Sequence, residues 1–275
     1  MSRFALEVTL HWTAVGLYIV ATLFFALATL LDRPHRTRWG VWAALAGLVP
    51  HSAAIVVRWV ASGHGPYMLR HEVLSSNAWV AVLAVALFLW RRPGWSAMGL
   101  VVVPVAFLAM AVGVFTNLEI RELPPTLRSV WLVFHISFAK LSTGGFLLSL
   151  GSAVVLLWKG RVSHPQALQR LPEADALDAY IARFAGFGFV FWTISIAAGS
   201  IWANQSWGRY WGWDPIETWS LVTWLCYGSF LHARLFFRLR GTTAAWGSVA
   251  CFSVAVLTIF ALPFLMPSIH AAYFQ

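Results

Sequence analysis

Runs of about 20 consecutive apolar residues, each long enough to cross roughly 30 Å of hydrocarbon as an α-helix, recur along the whole of this chain. No other feature constrains the fold as strongly. In lipid the backbone must satisfy its own hydrogen bonds, and only helices and closed barrels do so. Eight such runs are read, at 6–31, 39–60, 75–90, 96–115, 129–158, 181–203, 216–237 and 245–266, the third short and the fifth long. With 60% hydrophobic and 11% charged residues, the composition excludes an ordinary soluble domain. The expected fold is an all-α polytopic integral membrane protein of eight transmembrane helices, with 1–275 a single membrane domain.

A formal charge of +9 invites nucleic acid as a partner, but the basic residues lie in short loops between apolar runs and form no continuous stripe. They report orientation instead. Arg33, Arg36, Arg38, Arg91, Arg92, Lys159, Arg161, Arg170, Arg183, Arg234, Arg238 and Arg240 fall in one set of loops, and the alternate loops hold only Arg3, Arg58, Arg70, Arg121, Arg128 and Arg209. The positive-inside rule therefore places both termini outside, together with the loop between helices 6 and 7. A cleavable signal peptide ending at Ala26-Leu27-Ala28 is the competing reading of the first run. It is rejected, because the run is long for a signal core and the arginines follow it. Cys226 and Cys251 sit singly in the last two runs and form no CxxC, so inert buried thiols are expected.

Polar groups at membrane depth usually have a partner or a task. His35 and His164 fall in inner loops and read as solvated residues; Glu7 and His11 are four apart and read as a hydrogen-bonded pair on one helix face. The stretch SGHGPYMLRHE, 62–72, reads as a structured external turn whose His64 and His71 either contact a ligand or are plain loop residues. His135 lies about two turns inside the outer end of the fifth run, and His270 follows the eighth, so topology brings both to one membrane face. Two imidazoles from separate segments can take both axial positions of a haem iron. Helix-end histidines beside an interfacial Trp belt are the plainer alternative.

The stretch WGRYWGWDPIETW departs from such a belt. Trp202, Trp207, Trp211 and Trp213 crowd one connection, here taken as 202–219, and Trp219 and Trp224 continue into the next helix. Asp214-Pro215 reads as an N-cap followed by proline in the first turn, and Glu217 suits the dipole of that turn. Capping is thus the expected role of both carboxylates, rather than catalysis.

The stretch AGSIWANQSWGRYWGWDPIETWSLVTWLCYGSFLHARL, 198–235, resembles the WWD signature of haem-handling proteins, in particular the CcsA/ResC proteins of System II cytochrome c assembly. The likeness extends through RWVASGHGP (58–66), WLVFH (131–135) and SIHAAY (268–273). It implies a non-covalent b-type haem held externally with bis-histidine ligation by His135 and His270, over a platform of Trp207, Trp211, Trp213 and Asp214. His232 corresponds to the family histidine associated with haem inside the membrane. It also implies a cytochrome c haem lyase acting with a CcsB/ResB-type partner on the CxxCH thiols of apocytochrome c. The membrane would be a bacterial inner membrane, with the loop periplasmic, or a thylakoid membrane. His51 is an internal candidate for a second membrane ligand, although helix rise puts it about 18 Å from its inner helix end and His232 roughly 8 Å from its own. A backbone hydrogen bond near Pro50 is the other reading of His51. A CcmC-like haem chaperone, a haem exporter, a b-type electron carrier and a docking surface for a secreted partner are the alternatives, and no residue stands out as a chemical catalyst.

Overall fold

The computed structural model describes residues 2–31, 33–116, 119–120, 122–161 and 171–266, and every regular element among them is helical. Each of the eight expected runs coincides largely with a helix: α1 Arg3–Leu30, α2 Arg36–Ser62, α3 Arg70–Arg91, α4 Ser96–Val114, α5 Val130–Lys159, α6 Ala174–Trp207, α7 Pro215–Phe236 and α8 Gly241–Val256. A π-turn, Leu257–Ala261, and a final helical turn, Leu262–Leu265, continue α8. Among the described residues seven helices are long and apolar enough to cross a membrane, and α7 is not one of them. Its Trp, Thr, Ser and Tyr side chains lower its hydropathy, and two of them, Thr223 and Trp224, hydrogen-bond to neighbouring elements.

The chain divides into two compact units, the first comprising residues 1–121 and 154–177 and the second 122–153 and 178–275. In the first unit α1 packs on α2 and α4, and α3 on α2 and α4. The seam of α1 is a heptad of buried positions, Glu7, His11, Ala14, Tyr18, Ala21, Phe25 and Ala28. Glycines on the facing helices leave room for its rings. A Cβ on Gly47 would stand 2.6 Å from Tyr18, and one on either Gly40 or Gly99 would stand 2.6 Å from Phe25. Close approach over small residues is how membrane helices gain packing without a hydrophobic drive between them.

In the second unit α5 and α6 approach backbone to backbone at Gly145 and Gly188, where Ser142 Oγ donates to Gly188 O at 2.7 Å. Phe146 fills the space above Gly188 and stacks on Tyr227 of α7 at a centroid distance of 3.6 Å. At the far end of α7, Arg234 makes a two-pronged ion pair with Asp178 of α6, and Asp178 also accepts from Gly241 N at the start of α8. That one carboxylate ties together three helices.

Candidate functional site

His135 on α5 is held by one face of α6. Ser195, Gly199 and Trp202 are four and three residues apart, so they lie along a single stripe of that helix. Ser195 O stands 2.8 Å from His135 Nδ1, and Ser195 Oγ donates to His135 O at 2.9 Å. A carbonyl oxygen only accepts, so Nδ1 carries a proton, and the lone pair of the neutral form is the one on Nε2. This is the tautomer that an orienting carbonyl imposes on a metal-ligating histidine. The ring lies against the backbone of Gly199, where a Cβ would come within 2.7 Å of Nδ1. Its other neighbour is Trp202, stacked at 6.1 Å and 21°.

Trp202 is itself fixed, 3% exposed, with Nε1 donating to Thr126 O at 2.8 Å. Ser206 Oγ donates to the same carbonyl, which pins the turn before α5 against the end of α6. Trp207 meets Trp202 edge-on at 4.9 Å.

From Trp207 the chain leaves the helix through Gly208, whose φ of 71° only glycine adopts without strain. Of the expected loop 202–219, only 208–214 is irregular, because α6 runs through Trp207 and α7 starts at Pro215. The capping expected of Asp214 forms: Oδ1 accepts from Ile216 N at 2.9 Å, and Glu217 Oε2 accepts from Gly212 N at 2.7 Å and Asp214 N at 3.3 Å. The Arg209 guanidinium folds over Gly212, leaving no space for a Cβ there. Trp213 has φ 57° and is 69% exposed, while Tyr210 beside it is 61% exposed. A bulky residue in the left-handed region costs on the order of 1–3 kcal/mol, and such strain gathers at ligand-holding loops. Trp211 packs on Trp213 edge-to-face, and its Nε1 is buried with no hydrogen-bond partner.

The other sequence candidates are distributed as follows. His270 lies outside the described residues, as do His164 and Arg121. His232 is exposed on the last turns of α7, stacked on Phe236 at 4.4 Å with Phe237 at 5.8 Å. His51 is fully buried between two hydroxyls, Tyr18 Oη at 2.9 Å from Nδ1 and Ser75 Oγ at 2.9 Å from Nε2, in place of a carbonyl near Pro50. Ligation by His51 would require one of those bonds to break. The expected Glu7 to His11 pair is replaced by longer-range partners. Glu7 Oε1 accepts from His71 Nε2 at 3.1 Å, and His11 Nε2 donates to Met110 O at 3.3 Å. Their spacing does put them on one face of α1, but that face is the bundle seam, where groups from other helices come closer.

His64 and His71 are also buried rather than displayed on a loop, because α3 begins at Arg70 and Glu72 draws the turn in by accepting from Met68 N and Leu69 N. Arg58 is 3% exposed and bonded to Glu72 Oε1 at 2.9 Å, so it is committed to the bundle. Of the groups that build the His135 site, sequence reasoning passed over Ser195 and Gly199. Their signal was the helical spacing to Trp202, legible once α5 is known to pack there.

A family profile described as "Cytochrome C assembly protein" matches residues 68–270, which include His135, the 208–214 loop, His232 and His270. The chain belongs to this family. Within the cytochrome c assembly family it is of the CcsA type: it is similar to the cytochrome c biogenesis protein CcsA of Guillardia theta, 30% identical over 242 residues and covering 78% of each chain. The CcsA protein of Prochlorococcus marinus (strain MIT 9303) is 31% identical over 261 residues, covering 83% of this chain and 81% of its own. That of Chlamydomonas reinhardtii is 35% identical over 192 residues, 66% of this chain and 53% of its own. Among solved structures, "Cytochrome c Heme Lyase CcmF" superposes with a TM-score of 0.74 at 18% identity, over all of this chain and 49% of that one. At that identity the likeness is one of fold, and this chain spans about half the length of that protein.

Proposed function

We propose that this assembly-family protein holds haem for attachment to apocytochrome c, with the iron taken by His135 and His270 and the macrocycle edge presented by the 208–214 loop. The observation that carries this reading is the clasp on His135, where a backbone carbonyl on Nδ1 orients the ring and sets the tautomer that suits a metal ligand. The surrounding groups suit the rest of the molecule. Trp207, Trp211 and Trp213 offer aromatic surface backed by the buried Trp202, and the orphan indole N–H of Trp211 is a donor for a propionate carboxylate. The strained, exposed Trp213 is where a loop would meet a partner or ligand.

Haem is the substrate here, and each of its vinyl groups accepts one thiol of a CxxCH segment. A sulfur–carbon bond forms, the thiol hydrogen goes to the other vinyl carbon, and no net redox change occurs. The protein's contribution is proximity and orientation. Bis-histidine ligation of a non-covalent b-type haem keeps the iron shielded until the substrate histidine displaces one ligand. His232 stands on the route from the inner face, and His51 would join that route only after releasing a hydroxyl. We read eight spans, with α7 completing the count, external termini and an external 208–214 loop, a CcsB/ResB-type partner, and residence in a bacterial inner membrane or thylakoid membrane.

The test is the absorption spectrum and pyridine haemochrome of the detergent-purified protein, beside His135→Ala and His270→Ala, with and without imidazole. A b-type Soret band that weakens in both variants and recovers with imidazole is expected. A wild type purified with its partner and lacking haem, or variants with unaltered spectra, would overturn the ligand assignment. Haem movement without any thioether product would leave a chaperone or exporter.

A further inference from the structure

At one end of the first unit the chain turns twice, from α1 into α2 and from α3 into α4, and the stretches 31–38 and 91–96 carry five arginines against one carboxylate, Asp32. α2 packs on α3 and also touches the turn Pro93–Trp95 that follows it, so the start of α2 lies beside the end of α3. Between them is a cavity of about 270 Å³, lined by Arg38, Val41 and Trp42 of α2 and by Leu89 and Trp90 of α3. Val41 and Leu89 are buried and make its apolar floor. Trp42 and Trp90 meet edge-to-face at 5.1 Å, are 56% and 55% exposed, and make a wall. Arg38 is exposed, one helical turn nearer the end of α2 than Trp42.

Every polar atom that these side chains bring to the cavity is a donor: the guanidinium of Arg38 and two indole N–H groups. Among the described residues none of these three side chains has a hydrogen-bond or ion-pair partner, and those of Arg91 and Arg92, directly after Trp90, have none either. A surface of donors and hydrocarbon is complementary to a ligand of acceptors and hydrocarbon. A sugar or a peptide brings donors that would find no acceptor in this lining. Haem brings carboxylates, but the indoles meet edge-on and leave no parallel slot for a macrocycle, and no lining residue ligates iron. A phospholipid brings a phosphate and an acyl chain, and the cavity stands at a helix end, the level at which a bilayer holds its headgroups. The excess of arginine selects a lipid whose head is negative overall.

We infer that the cavity between α2 and α3 is a binding site for one anionic phospholipid of the surrounding bilayer. Its phosphate is held by Arg38 and the two indole N–H groups, and the upper part of an acyl chain lies on Val41 and Leu89. Arg91 and Arg92 add attraction at the same level. The lipid thereby bridges α2 and α3 at this end of the unit.

The experiment uses the full-length protein in phosphatidylcholine nanodiscs with a trace of photoactivatable phosphatidylglycerol, its diazirine at the top of one acyl chain, and maps the crosslinks by peptide mass spectrometry. Crosslinks are expected within 38–42 and 89–92, and unlabelled phosphatidylglycerol should displace the probe where further phosphatidylcholine does not. Arg38→Gln should lower the yield there about fivefold, the effect of one basic residue on an anionic lipid. Arg3→Gln, at the start of α1 and the other end of the unit, should leave it unchanged. Crosslinks spread evenly along the lipid-facing helices, equal displacement by phosphatidylcholine, or a yield unaffected by Arg38→Gln overturns the inference. So does displacement by inorganic phosphate, which would mark a free-anion site, or by haemin, which would mark a haem site. The competition series needs no variant, and none of these outcomes depends on His135.

Discussion

Gly199 is worth more to this protein than its size suggests. A Cβ there would sit 2.7 Å from His135 Nδ1, closer than side-chain carbons pack, so Gly199→Ala pushes the imidazole off the Ser195 carbonyl. The expected outcome is a roughly tenfold or greater loss of haem affinity, about 1.4 kcal/mol or more, with the helices intact. Haem titration beside circular dichroism checks it, and unchanged affinity would mean that the clasp does not set the ligand. Arg58 makes the opposite case, a charge whose importance is structural. Arg58→Met leaves Glu7 and Glu72 facing each other in the bundle, and removing one partner of a buried pair costs about 3–5 kcal/mol. Thermal unfolding in detergent should therefore show a lowered midpoint for Arg58→Met, and little change for Arg209→Met on the exposed loop.

The segment from Trp207 to Glu217 is built as a cap with a display attached. Asp214 closes the first turn of α7, so Asp214→Ala should cost about 1 kcal/mol of stability, measurable as a drop in the unfolding midpoint. Trp213 is held in a conformation that glycine adopts freely, so Trp213→Gly should raise stability by about 1 kcal/mol while weakening haem retention. Opposite signs in the two assays mark a residue kept for its surface rather than its fit. If both fall together, the indole is part of the packing. The π-turn at Leu257–Ala261 has a comparable local cause. Thr258 reaches across to Thr223 Oγ1 at 2.8 Å and Trp219 O at 3.2 Å, bonds that join the end of α8 to α7.

The sidedness we propose from the loop arginines has a direct measurement. In a background lacking Cys226 and Cys251, Tyr210→Cys should react with an impermeant maleimide in intact cells, and Arg36→Cys and Arg238→Cys only after lysis. The reverse pattern would put the aromatic loop inside and end the attachment reading.

The helices were legible beforehand, because apolar run length answers to the bilayer alone, whatever the neighbours are. Helix existence, the Asp214 cap and the position of His135 on a helix are all local properties of that kind. What α1 would do with Glu7 was not local. Its sequence neighbour His11 stands four residues away, yet the bond goes to His71, 64 residues on, since α3 packs against the same seam. Similarly, the tautomer of His135 depends on a carbonyl 60 residues distant, and the committed state of Arg58 on two carboxylates from other helices. Periodicity states which face of each helix is buried, and only packing decides which faces meet, because in a chain of nearly uniform apolarity many pairings would bury them equally well.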